Sequence, residues 1–235
     1  MKKFKLIALA ALLSITPLLQ SCLNTDDTDM IVTCPDGGLF AMGTVKVPDA
    51  NTPRDFYFAL DDGAKLFPGD TTLVKNYTPT DNQRVFVGYL KMEEPISGFD
   101  VSGKIFSLEN ILTKDIIALT EENADSIGNN GINLTTRILN ADFLTIEYQY
   151  FGSGDKNKLH MLNLVENLTD TKDSEEGYIC LEFRHNAFDD APLKAGLGVV
   201  SFKLENIKDQ MKGKKGLKIR VKTIYDGVQD YKVDF

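Results

Sequence analysis

The stretch Phe183-Arg184-His185-Asn186, followed by Asp189 and Asp190, holds the residue types in this 235-residue chain best suited to chemistry. An imidazole close to two carboxylates can move a proton or ligate a metal, so Arg184, His185 and Asn186 are the candidate ligand-binding residues. Zinc, however, needs three or four ligands at suitable spacing. The chain has two histidines, His160 and His185, and no H-x-x-x-H pattern, so neither a metal site nor a cofactor is expected. The preferred reading of His185 is structural: a strand-end histidine bonded to nearby backbone, with Asn186 and Asp189 shaping the turn that follows. His160 shares strand parity with Leu162 and Leu164 and reads as a partly buried, satisfied histidine.

The other chemical constellations are weaker. There is no G-x-S-x-G elbow, P-loop or dinucleotide glycine fingerprint, and no usable Cys-His arrangement, so no catalytic residue is assigned. The acidic pairs Asp61-Asp62, Glu93-Glu94 and Glu175-Glu176 read as solvated turns, because adjacent strand residues point to opposite faces and cannot flank one substrate. Asp170 to Glu176 is acidic but lacks the alternating arrangement of a calcium loop. In the basic run from Lys212 to Lys222, Lys218, Arg220 and Lys222 alternate with Leu217, Ile219 and Val221. That is the pattern of a half-exposed strand, and its outer face is a candidate patch for anionic glycans or lipid headgroups.

Location is written at the other end of the chain. Lys2, Lys3 and Lys5 precede an apolar run from Leu6 to Leu19 that is too short for a permanent span, and the run closes on Leu19-Gln20-Ser21-Cys22. This is a bacterial lipoprotein processing site. Residues 1–21 are the signal peptide and Cys22 is the lipid attachment point. Two or three acyl chains, palmitate among them, each contributing about 0.8 kcal/mol per buried methylene, would anchor the mature chain to a membrane. Residues 22–35, with Asp26, Asp27 and Asp29, form an acidic tether. Asn24-Thr25-Asp26-Asp27 loosely resembles an export signal of gut and oral Gram-negative anaerobes, which favours the outer face of the outer membrane over the periplasmic side.

Losing the signal peptide removes three lysines and no acid, moving the net charge from −8 to −11. Such a surface repels phosphate backbones, so no nucleic-acid partner is expected. Cys34 and Cys180 remain in a compartment that permits disulfides, and two separate thiols are favoured over a bond between them.

The elements that must position these residues are strands, since period-2 alternation dominates after the tether. Gly43–Val47, Asp55–Leu60, Arg84–Met92 and Phe99–Ser107 form a first set, with Phe56, Phe58 and Leu60 on one face. The run from Pro68 to Asp81 reads as a loop, and Leu112–Asp125 is the best helical candidate. A second set follows: Phe143–Phe151, Lys158–Glu166, Tyr178–His185, Gly198–Asn206, Leu217–Ile224 and Tyr231–Phe235. Gly152-Ser153-Gly154-Asp155 is the turn expected to join its first two strands into a hairpin. The apolar stripes of this set predict two antiparallel sheets packed face to face.

Several segments, in this order and spacing, resemble the NigD-like lipoproteins. They are Cys22, Gly43-Thr44-Val45, Phe56-Tyr57-Phe58-Ala59-Leu60-Asp61-Asp62-Gly63, Phe143 to Tyr150 and Leu181 to Ala187. The resemblance implies an all-β chain with an N-terminal OB-like barrel over 36–110 and a C-terminal β-sandwich over 111–235. It also implies a non-enzymatic binding role, with immunity to a bacteriocin as the function suggested for the family. Asp125-Ser126-Ile127 resembles the tripeptide at which such anaerobes attach O-glycans, making Ser126 a candidate modification site. The alternative function is a surface carbohydrate-binding or glycan-processing accessory protein, since both folds host oligosaccharide sites.

Overall fold

The computed structural model describes residues 31–33, 37–49, 51–52, 55–94, 96–169 and 175–235. Cys22, the tether and Cys34 lie outside the described residues, as does most of the acidic stretch from Asp170. The chain divides into two compact units at residue 112/113, each of strands with only short helical turns.

The first unit contains β1 (Ile31–Thr33), β2 (Gly38–Lys46), β3 (Tyr57–Leu60), β4 (Lys65–Asp70), β5 (Arg84–Lys91) and β6 (Val101–Asn110). The long strand β2 pairs with β3 through residues 43–46 and with β5 through residues 38–44. This shared strand closes the ring β2-β3-β4-β6-β5, in which β4 and β6 run parallel. Alternate side chains fill the barrel: Val45, Phe58, Leu66, Val85, Val87 and Ile105 are fully buried. Closure needs backbone to approach backbone where β2 crosses β3, and a Cβ on Gly43 would lie 2.9 Å from the Ala59 carbonyl oxygen.

Two expectations are corrected here. The run from Pro68 begins as strand, because β4 reaches Asp70; the ladder to β6 is irregular between Pro68 and Asp70, where proline has no N–H to offer. The pair Asp61-Asp62 is not a solvated turn throughout. Asp62 does cap the turn, accepting from the Ala64 N–H, but Asp61 turns inward onto the fully buried Arg84.

The second unit contains β7 (Leu112–Asp115), β8 (Ile117–Leu119), β9 (Asn133–Leu139), β10 (Phe143–Gly152), β11 (Met161–Asn167), β12 (Tyr178–Asn186), β13 (Lys194–Lys203), β14 (Gly216–Lys222) and β15 (Val228–Asp234). A four-stranded sheet, β7-β13-β10-β9, faces a five-stranded sheet, β15-β14-β12-β11-β8. Leu144, Ile146, Val200 and Phe202 from the first meet Leu164, Leu181, Phe183, Leu217, Ile219 and Val221 from the second in one core. Each such side chain contributes about 1.5–3 kcal/mol when withdrawn from water.

Three details depart from the sequence reading. Leu112–Asp125 is not a helix: it supplies an edge strand to each sheet, β7 beside β13 and β8 beside β11, and only Ala124–Ile127 forms a helical turn. Available strand edges override a weak helical pattern rich in Thr and Ile. The turn after Gly152 does not make a hairpin, because β10 and β11 lie in different sheets. The five-stranded sheet is mixed rather than antiparallel, since β8 runs parallel to β11 and β12 parallel to β14.

Candidate functional site

Strand alternation sends Arg184, His185 and Asn186 to different tasks. Leu181 and Phe183 face the core, so His185 faces inward with them, near the end of β12, while Glu182 and Arg184 project from the outer face. Asn186 leaves the strand end and donates through Nδ2 to the Ser126 carbonyl at 2.9 Å, while its Oδ1 accepts the Phe188 N–H at 2.9 Å. It is a buckle between two loops.

His185 stands in a buried polar chain that runs across the two sheets. Its Nδ1 lies 3.2 Å from the Gly131 carbonyl oxygen, and its Nε2 lies 2.9 Å from Nδ1 of His160. Nε2 of His160 is 3.1 Å from Oδ2 of Asp190, which also accepts the Ser153 N–H at 2.8 Å. The ring of Tyr150 covers His160 edge-on, with centroids 4.9 Å apart. Gly152 admits the carboxylate, since a Cβ there would lie 2.8 Å from Asp190 Oδ2.

Counting protons fixes the roles along this chain. A carbonyl only accepts, so His185 Nδ1 donates to Gly131 and, in a neutral ring, Nε2 accepts. His160 then donates from Nδ1 to His185 and from Nε2 to Asp190. All three bonds form together when both ring nitrogens of His160 carry a hydrogen and His185 is neutral. Burial drives the His185 pKa down to about 4, against the opposing bond to Gly131. Hydrogen bonds from Ser153, then His160, bring Asp190 down to about 2. The assembly has no open side for a substrate. His185 is 2 % exposed, and the Asp190 side chain 4 %.

What the chain positions is a loop. Residues 187–193 are tied to the end of β10 through Asp190 and through the Leu193 N–H on the Gly152 carbonyl. Phe188 and Asp189 both adopt positive φ, +46° and +59°, which a bulky aromatic residue seldom does without outside restraint. At this end of the sandwich Phe188, Leu193, Leu159 and Tyr225 stand 50 %, 73 %, 78 % and 66 % exposed. These loop tips are the candidate functional surface. The sequence reading overlooked them, and it also overlooked the pairing of His160 with His185; the shared inward parity of the two histidines was the available signal.

The remaining candidates fall elsewhere. Ser126 is exposed on the helical turn Ala124–Ile127, its hydroxyl donating to the Asn123 carbonyl. Lys218, Arg220 and Lys222 lie on the outer face of β14, with Lys218 buried beside Glu175 and Asp230. Cys180 carries a free thiol on β12. No group of three or more metal-ligating side chains gathers among the described residues.

Comparison with known proteins agrees with this architecture. Residues 42–111 match the NigD-like N-terminal OB domain, and residues 115–235 match the NigD-like C-terminal beta sandwich domain. The chain belongs to the NigD-like family. Among solved structures, a putative toxin-related protein from Parabacteroides distasonis is 29 % identical, with 84 % of this chain and 93 % of that one covered and a TM-score of 0.69. A protein of unknown function from Bacteroides vulgatus is 25 % identical, covering 83 % and 90 %, with a TM-score of 0.70. A NigD-like immunity protein from Bacteroides caccae shares the fold at 18 % identity, covering 82 % and 89 %, with a TM-score of 0.58. No curated relative matches the chain.

Proposed function

We propose that this NigD-like chain is a lipoprotein of the cell envelope, held at the outer membrane by acylated Cys22 and facing outward. There it binds a partner protein without catalysis, as an immunity protein would bind a bacteriocin. The carrying observation is the loop end of the sandwich, where Phe188, Leu193, Leu159 and Tyr225 are exposed above a buried polar chain that fixes the loop. Large apolar side chains on a rigid base lose little freedom on association and are typical binding anchors. The names of the immunity protein of Bacteroides caccae and the toxin-related protein of Parabacteroides distasonis support a toxin-type protein as the partner. Exposed Ser126 suits O-glycosylation of an exported chain.

A strain lacking the gene, challenged with culture supernatants of competing anaerobes, tests this reading. Killing should be relieved by the wild-type gene but not by Cys22→Ala or by the folded double variant Phe188→Asp/Leu193→Asp. Full protection by the double variant would remove the loop end from the function. A second reading, a surface glycan-binding accessory role, is favoured by one observation on a different surface: a cationic pocket on the outer face of the five-stranded sheet.

A further inference from the structure

The outer face of the five-stranded sheet carries charges that pack against one another instead of pointing freely into water. Parallel pairing of β12 with β14 sets Glu182 opposite Arg220, and two residues further on Arg184 and Lys222 emerge on the same face. Val228 pairs with Lys222 on β15. With Asn129 these residues line a pocket of about 90 Å³. Glu182 pairs with Arg184 and accepts from Asn167 Nδ2 at 2.7 Å; Arg220 donates through Nε to Asp230 at 3.0 Å. The lining holds three cations and one carboxylate, in a chain whose overall charge is −8.

We infer that this pocket receives the carboxylate of an acidic sugar, a uronic-acid-type residue of a glycan. Its volume admits one compact anionic group and leaves the rest of the ligand on the rim. Lys222 offers N–H donors to that group, and the two arginines, held on Glu182 and Asp230, add positive potential beside it; charge-assisted bonds of this kind are about twice as strong as neutral ones. A phosphate dianion would meet greater repulsion from Glu182 than a single carboxylate does. Glu182 and Asn129 can in turn bond sugar hydroxyls, and Val228, exposed at the rim, offers an apolar contact to a ring face. The inference takes its ligand class from the glycan reading above and its site from the pocket alone.

Titration of the detergent-solubilised full chain with D-glucuronate, glucose, acetate and inorganic phosphate, followed by calorimetry or NMR, tests it. Glucuronate should bind most tightly and glucose not at all, and binding should weaken as salt rises. Lys222→Ala, on an exposed side chain, should leave the melting temperature unchanged and weaken glucuronate by about tenfold; Arg184→Gln should weaken it similarly but also lower the melting temperature, because Glu182 loses its partner. Acetate or phosphate binding as tightly as glucuronate, with the same loss in Lys222→Ala, would overturn the sugar assignment and leave an anion pocket. Failure of every anion to bind, or binding indifferent to Lys222→Ala, would overturn the site itself.

Discussion

Each unit buries an ion pair, and the two pairs differ in how their charge is held. In the barrel, Arg84 and Asp61 meet through two hydrogen bonds of 2.5 Å, both side chains at most 2 % exposed, and Thr44 Oγ1 takes a further bond at 3.2 Å. In the sandwich, Asp190 Oδ2 faces Nε2 of His160 at 3.1 Å, and His160 in turn meets the neutral His185. An arginine keeps its charge at any pH a cell meets, whereas an imidazole carries charge only when protonated. The barrel pair therefore acts as a fixed strut between the β3 turn and β5. The sandwich chain is a strut whose strength depends on pH, placed beneath the loop proposed to bind.

The largest effect that would sharpen this contrast comes from breaking the barrel pair. Asp61→Ala leaves a fully buried guanidinium uncompensated and should cost about 3–5 kcal/mol in denaturant unfolding. The double variant Arg84→Met/Asp61→Leu, which removes both charges, should recover much of that loss. A cost below about 1 kcal/mol for Asp61→Ala would show that the pair is solvated rather than buried.

Acid should act next, and on the sandwich first. The His185 pKa lies below its unfolded value, so its contribution is intact above about pH 6.5 and is lost as pH falls toward 4, where the unfolded chain binds a proton that the folded chain refuses. From 6.5 to about 4 the loss is at most about 3 kcal/mol. Asp190, also depressed, adds a second loss as pH falls from its ordinary value of 3.8 toward about 2. We propose that the two units unfold separately, so calorimetry at pH 7 and pH 4.5 should show the sandwich transition moving down more than the barrel transition. Equal shifts would break the comparison.

Smaller effects separate neighbouring residues. His185→Ala removes one buried ring and should cost about 1–3 kcal/mol while leaving binding at the outer-face pocket unchanged. Asp190→Ala should loosen the 187–193 loop, seen as faster hydrogen exchange at Ser153 and Leu193. Asp189→Gly should change stability by less than about 1 kcal/mol, in the stabilising direction, because glycine adopts the positive φ without strain. If Asp189→Ala destabilises as much as Asp190→Ala, the carboxylates have been assigned to the wrong roles.

Much of the fold was legible because alternation is a local property. Leu144, Ile146, Leu181, Phe183, Val200, Phe202, Leu217, Ile219 and Val221 announce their faces within each strand, and all line one core. The family resemblance carried by Gly43-Thr44-Val45 and the two later runs agrees with the domains that the chain matches. The site was less legible. Arg184, His185 and Asn186 are adjacent in sequence, yet alternation parts them, and the groups that His185 meets come from 25 and 54 residues away.

The sequence by itself determined an all-β chain of the NigD-like family, its strand faces and a net negative charge, since each rests on residue type and short spacing. Only the tertiary structure decided that Leu112–Asp125 supplies two edge strands, that β12 lies parallel to β14, that Asp61 is buried on Arg84 and that His160 shares a proton chain with His185 and Asp190. The physical reason is the same in every case: strand partners and buried charges are chosen by closing long loops, and the free energy that rewards the choice appears only once distant segments are in contact.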